Sequence, residues 1–382
     1  MSVSMSHSAL GSGLAGLAGA SEEDRAGWRE LAAHRSESAP FVDEEWITAC
    51  IETFRPPAPL LLPQRQDGKL VGLAALQSLT ESWAGRRIAV LQSLTTHESY
   101  RFDFLSLPGR GDLQEQLWRS VCEAKRWDVI RVDHLPEGSP TLAAGLKVAR
   151  EAGWRSLVEP TFESPWRPLS PPPASWDEGL TRKFKSNLRN RERRLQELGA
   201  VTFEVATDRA DQARALETFY ALEASGWKGE RGTAIASRAH VKALYDRLVE
   251  RAASQIWIPV LSVAGRPAAA QLLRVQGRTM FMHKTAYHPE FSPLAPGQVL
   301  TARVIRYGIQ KGMEALDFLA DNMPWKEDWA PQLRRHHRLL LFSPSAHGRY
   351  AYWTRYGVKA QARKIPGALR LARWVHARAE CA

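Results

Sequence analysis

The chain has 382 residues, 44% hydrophobic and 24% charged, with a formal charge of +11. That length exceeds one ordinary core and implies two domains, and no run of about 18 apolar residues is present to span a bilayer. Its three cysteines, Cys50, Cys122 and Cys381, stand far apart without a CxxC or a histidine at ligand spacing, which argues against a zinc site or disulfide framework and for a reducing, cytoplasmic compartment.

In chain order, residues 1–35 begin rich in Ser, Gly and Ala, lack a basic n-region, and read as a flexible tail. Residues 36–162 form the first lobe. An apolar run at 60–66, the turn pair Asp67-Gly68 and a second run at 70–76 predict a β-hairpin. A strand at 87–93, a helix at 112–125 and a strand at 127–133 follow. Residues 163–175 are proline-rich and read as an irregular linker. The second lobe, 176–333, begins with a polar helix over 181–198, ended by Gly199. Seven cations on it (Arg182, Lys183, Lys185, Arg189, Arg191, Arg193 and Arg194) face two carboxylates. They make either a solvated face or a grip on phosphates. Then the earlier order returns: strands at 256–263 and 267–274 around Ala264-Gly265, a strand at 279–287, a helix at 298–311 and a strand at 315–320. The order β-β-β-α-β thus occurs twice.

Residues 334–382 form a basic C-terminal segment. Between positions 331 and 379 lie eleven Lys/Arg and no Asp or Glu, and setting these aside leaves 41 basic against 41 acidic residues. Such a segment would meet tRNA, an anionic membrane surface or an acidic partner, or would be a solvated tail. Leu369, Leu371, Trp374 and Val375, interleaved with Arg370, Arg373 and Arg378, suit an interfacial helix or one packed on the second lobe.

Four local motifs join the repeat: Leu222-Glu223-Ala224-Ser225-Gly226-Trp227-Lys228-Gly229 with Gly232-Thr233-Ala234; Lys284-Thr285-Ala286-Tyr287; Ser292 through Pro296-Gly297; and Leu316-Asp317-Phe318 leading to Trp325-Lys326-Glu327-Asp328-Trp329. Together they resemble the GNAT-superfamily acetyltransferase domain of the CelD-like type, found in cellulose and exopolysaccharide loci, which is related to the double-GNAT FemABX transferases. The resemblance covers roughly 41–329, leaves the basic tail unexplained, and implies an α/β fold of two tandem GNAT-like lobes, each a mixed sheet flanked by helices, in a FemABX-like arrangement. It implies direct acyl transfer, with acetyl-CoA or another acyl-CoA as co-substrate, to an amine of a sugar, peptide or envelope precursor. It also admits aminoacyl transfer from tRNA, or a non-catalytic exopolysaccharide accessory protein held peripherally at the inner membrane.

The candidate residues follow. Pro296, Gly297 and Gln298 open a helix whose backbone amides and positive dipole end suit a pyrophosphate, although the family's Gln/Arg-x-x-Gly-x-Gly/Ala loop is not matched letter for letter. Gly109-Arg110-Gly111-Asp112 occupies the equivalent place in the first lobe. Glu223 continues the apolar stripe of Leu216, Phe219 and Tyr220, so it requires a partner such as Lys228 or Lys284, as a structural ion pair or a catalytic carboxylate. Strict alternation puts Lys284 with Met280, Met282 and Ala286, opposite Phe281, His283, Thr285 and Tyr287. The resemblance places this strand against the donor's pantetheine arm, with Lys284 on the donor side and His283 or Tyr287 in proton transfer. Asp317 and Asp321 share a face of the last strand and its exit, where they would orient or deprotonate an acceptor amine or simply cap loop amides. Trp227, Lys228, Trp325 and Lys326 complete the acceptor pocket. No GxSxG elbow, Walker loop or HExxH is present, and no metal is implied.

Overall fold

The structure, a computed structural model, describes residues 22–33, 40–123, 126–169, 175–329 and 331–357. Most of the segment read as a tail, the interfacial-helix residues from Leu369 to Val375, and Cys381 lie outside them.

The first half runs α1 (Glu22–Ala33), α2 (Glu44–Phe54), β1 (Pro59–Gln66), β2 (Lys69–Trp83), β3 (Arg86–Ser93), the two-residue β4 (Leu105–Ser106), α3 (Gly111–Glu123), β5 (Val129–Pro136), α4 (Pro140–Glu151) and β6 (Arg155–Pro168). The second runs α5 (Arg182–Glu197), β7 (Val201–Ala206), α6 (Arg209–Ser225), the single turn α7 (Trp227–Glu230), α8 (Ala239–Arg251), β8 (Ile256–Val263), β9 (Arg266–Gln276), β10 (Thr279–Tyr287), α9 (Pro296–Gln310), β11 (Ala315–Asp317), α10 (Pro324–Glu327), β12 (Gln332–Phe342) and α11 (Ala346–Tyr352). Both predicted hairpins form. Asp67 and Gly68, like Ala264 and Gly265, take left-handed backbone angles (φ 50°, 80°, 50° and 75°), which is what a two-residue turn needs to match strand twist.

Among the described residues all twelve strands join one sheet, in the order β1-β2-β3-β5-β12-β6-β11-β10-β9-β8-β7, with β4 beside β2. In each half the strand before the helix and the strand after it are parallel, β3 with β5 and β10 with β11. The repeat is therefore real, but the halves are exchanged at the centre. β6, which leaves the first half, pairs with β11 of the second, and β12, which leaves the second, returns between β5 and β6.

Three sequence readings change as a result. Residues 22–33 are not tail: Trp28 and Leu31 are buried, and the Trp28 indole donates to the Val42 carbonyl at 3.0 Å. The proline-rich 163–168 is strand, because a strand proline forfeits only a donor, and the Pro165 carbonyl accepts from Phe318 N–H at 2.9 Å. The basic segment begins inside the sheet, where β12 buries Leu339, Leu340, Leu341 and Phe342.

A continuous core covers one face of both halves, joining α2, α3 and α4 to α6 and α8. On the opposite face α5 and α9 cover the second half, while α11 closes a smaller core over Trp83, Val90 and Phe342.

A cleft at the diverging ends of two parallel strands

β10 and β11 pair over three residues only, Thr279 with Ala315, Met280 with Leu316 and Phe281 with Asp317. Beyond Phe281 they part, because each strand is deformed. In β10 the register against β9 slips between Met282 and Lys284, so His283 is an inserted bulge residue. A bulge reverses the alternation after it. Met280 and Met282 pack in the core under α9, whereas Phe281 and, past the bulge, Ala286 both pack in the opposite core. Lys284 therefore lies with Phe281, not with the methionines as alternation predicted. β11 stops at Asp317, and Leu319 and Ala320 both hold left-handed angles (φ 53° and 50°). Two consecutive non-glycine residues there are strained and need external restraint.

Asp317 supplies much of it. Its buried carboxylate accepts from Leu319 N–H at 2.9 Å, from Arg334 of β12 at 2.8 Å and from Arg101, which arrives from the first lobe. Lys326, also buried, donates to the Leu319 carbonyl at 2.6 Å and the Asp321 carbonyl at 2.8 Å. Burial lowers its ammonium to about 8, with Asp317 and Asp321 opposing. Asp321 itself is exposed, so the two aspartates do not share a face. The positive-φ pair between them turns the chain.

The bulge is held by a first-lobe loop. Glu98, 1% exposed, lies 2.8 Å from Lys284 Nζ, accepts from the Tyr245 hydroxyl at 2.8 Å, and stands 3.7 Å from Arg238. Although burial opposes ionisation, Lys284, Tyr245 and His283 hold its carboxyl down at about 2, and Glu98 in turn raises Lys284. His283 Nδ1 is 3.3 Å from the Tyr245 oxygen. With the Tyr245 hydrogen committed to Glu98, His283 carries its proton on Nδ1 and donates it. Enclosed by Phe41, Trp46, Tyr100 and Tyr245, the ring is pushed by burial down to about 3 and stays neutral.

The α9 N-terminus lies at the same, C-terminal end of the parallel pair. Its cap residue Ala295 is left-handed (φ 44°), no side chain caps the first turn, and a Cβ on Gly297 would lie 3.7 Å from Thr285 Oγ1 of β10. Pro296 is buried, while Gly297 and Gln298 are half-buried. Gln298 accepts from Arg191 of α5 and reaches towards Asp328 at 3.5 Å. Pro296 has no N–H, and the Gln298 and Val299 N–H groups donate to the Ala295 carbonyl at 3.0 and 3.4 Å. What the first turn offers an anionic donor group is therefore the Gly297 N–H, with the Arg191 cation alongside and the edge of β10 that β11 leaves unpaired after Phe281.

Elsewhere the candidates are structural or peripheral. Glu223 is fully engaged, with Lys228 on one oxygen and the Ile235 N–H on the other, both at 2.6 Å. It clamps α6 to α7, whose Gly229 approaches so closely that a Cβ would fall 1.8 Å from the Ala224 carbonyl oxygen. Trp227 is 54% exposed and carries Arg231 over its ring, Tyr287 is 40% exposed at the end of β10, and Trp325 packs edge-on to Phe318. Gly109-Arg110-Gly111-Asp112 is closed by an Arg110–Asp112 pair at 2.6 Å. Cys50 and Cys122 are buried with thiols pushed up, unsuited to nucleophilic roles. Sequence reasoning missed Glu98, Tyr245, Arg101 and Arg334. The polar run Thr95-Thr96-His97-Glu98-Ser99-Tyr100-Arg101 directly after a strand was the available signal.

The fold is that of two tandem GNAT-like lobes that share one mixed sheet flanked by helices. Residues 182–327 match the family model described as acetyltransferase (GNAT) domain. Among solved structures, FemX superposes with a TM-score of 0.57 at 13% identity, covering 82% of this chain and 95% of FemX. A conserved protein of unknown function from Bacteroides thetaiotaomicron also gives 0.57, at 11% identity over 84% and 97%. A C-terminal DUF2156 domain from Agrobacterium fabrum gives 0.53, at 12% over 87% and 96%. No curated protein matches the sequence significantly.

Proposed function

We propose that this protein is a GNAT-type N-acyltransferase that moves an acyl group, acetyl in the simplest case, from acyl-CoA directly to an amine, in polysaccharide or envelope-precursor synthesis of the CelD-like kind. The observation that carries the reading is the coincidence, at one end of the second lobe, of an uncapped helix N-terminus and a strand pair that parts after three residues. The Gly297 N–H, at the positive end of the α9 dipole, and the Arg191 guanidinium would hold the pyrophosphate. The unpaired edge of β10 would align the pantetheine arm and donate an N–H to the oxyanion as the amine attacks the thioester carbonyl. Lys326 and Asp317 act as positioning residues that hold the strained exit of β11 against the acceptor. Tyr287, the exposed candidate at the end of β10, would serve in proton transfer.

Acetyl-CoA should raise the melting temperature, by roughly 2.7 kcal/mol of stabilisation at a hundredfold excess over Kd. Absence of any shift at millimolar acetyl-CoA removes the reading. The FemABX-like alternative, an aminoacyl-tRNA donor, draws support from the exposed cations of α5. Steeply salt-dependent tRNA binding without acetyl-CoA binding would favour it.

A further inference from the structure

α5 and α9 leave between them a cleft of about 130 Å³, open to solvent and lined by Trp176, Lys185, Leu188, Arg189, Val299 and Arg306. Val299 lies in the first turn of α9, and Arg306 is seven residues on, about 10 Å along the helix. The cleft therefore starts beside the α9 N-terminus and runs away from it, with Arg191 at the junction.

Its charge is unbalanced. Glu192 is taken by Arg303 at 2.7 Å, with Arg306 more distant at 3.9 Å. Asp177 accepts from Ser175 at 2.6 Å and lies 3.5 Å from Lys185. Arg189 is exposed and has no ion pair among the described residues, and Arg182, also exposed, lies on the same face seven residues, two turns, before it. The Arg306 guanidinium lies over the Trp176 ring at 4.1 Å, a pair that offers a stacking surface and N–H edges together. An aromatic–guanidinium platform with the unpaired Arg189 beside it and Lys185 held only at 3.5 Å from Asp177 is the chemistry that takes a base and its phosphates.

We propose that this cleft is a nucleotide subsite: the base stacks on the Trp176–Arg306 pair, and Lys185 and Arg189 hold ribose-linked phosphate. The proposal rests on the acyl-CoA reading and extends it, since the nucleotide end of coenzyme A would lie here when its pyrophosphate is at α9. The end of an RNA strand offers the same chemistry, so the two sources are tested in separate arms.

Calorimetric titration of the full chain with adenosine 3′,5′-bisphosphate should show binding that Arg189→Glu weakens at least tenfold and Trp176→Leu about fivefold, while Arg214→Glu, exposed on α6, leaves it unchanged. Thermal melts of each variant establish that the fold is intact. If the bisphosphate does not bind, or binds all variants alike, the subsite is overturned. Coenzyme A and a single-stranded RNA oligonucleotide are titrated in parallel, and the ligand whose binding drops in both variants is the source. Coenzyme A bound equally by all variants would leave the acyl-CoA reading standing and the subsite refuted. Variant-sensitive bisphosphate binding with no coenzyme A binding would uphold the subsite and refute the donor, and RNA binding lost in the same variants would then name RNA as the source.

Discussion

A carboxylate at position 297 would separate the two properties of the α9 N-terminus. Gly297→Asp introduces a side chain into ordinary contact distance of Thr285 and places a negative charge in a first turn, which favours the helix. The melting temperature should hold or rise, while acetyl-CoA affinity falls more than tenfold by calorimetry. A variant that keeps its affinity would show that the donor does not use the Gly297 end of the helix. Asp317 and Glu223 are expected to differ in stability. Asp317→Asn leaves Arg101 and Arg334 facing a neutral group and should cost about 3 kcal/mol in urea unfolding. Glu223→Gln keeps an acceptor for Ile235 and should cost about 1 kcal/mol. Equal costs would remove the distinction between a hub and a local clamp.

At the level of strands, β10 and β12 each carry a buried histidine, His283 and His336, that burial pushes down to about 3. The unfolded chain binds protons at these positions near pH 6.5, whereas the native chain refuses them until about pH 3. Stability is therefore fully present above pH 6.5 and declines as pH falls through that window, by about 1.4 kcal/mol per pH unit for each histidine. His336→Gln, measured by denaturant unfolding between pH 7 and 5, should reduce the slope by up to one proton.

Turn pairs, helix stops and the doubled order were legible because they are written in adjacent residues. The bulge was not, since a single inserted residue leaves the composition of a strand untouched while swapping the faces of everything after it. Nor was the Glu98–Lys284 pair, whose members are separated by the whole linker and half of each lobe. β12 was hidden by its own arginines: Arg334, Arg335 and Arg338 lie among its exposed or half-buried positions, and the apolar run that goes into the core is only four residues long.

For the molecule as a whole, the exchange of β6 and β12 predicts one unfolding transition. Scanning calorimetry should give a single peak whose calorimetric and van't Hoff enthalpies agree. Truncation after residue 331 should leave the edges of β5 and β6 bare and the product insoluble, by sedimentation of the lysate. Two resolved transitions would mean that the halves are autonomous.

Because both crossing strands run through the middle of the sheet, the halves share a keel. Spreading them would shear ladders of backbone hydrogen bonds, so the cleft behaves as a casting and not as a jaw. Reactants must be admitted by their contour at a fixed mouth, and selectivity would be changed by resculpting that mouth, side chain by side chain.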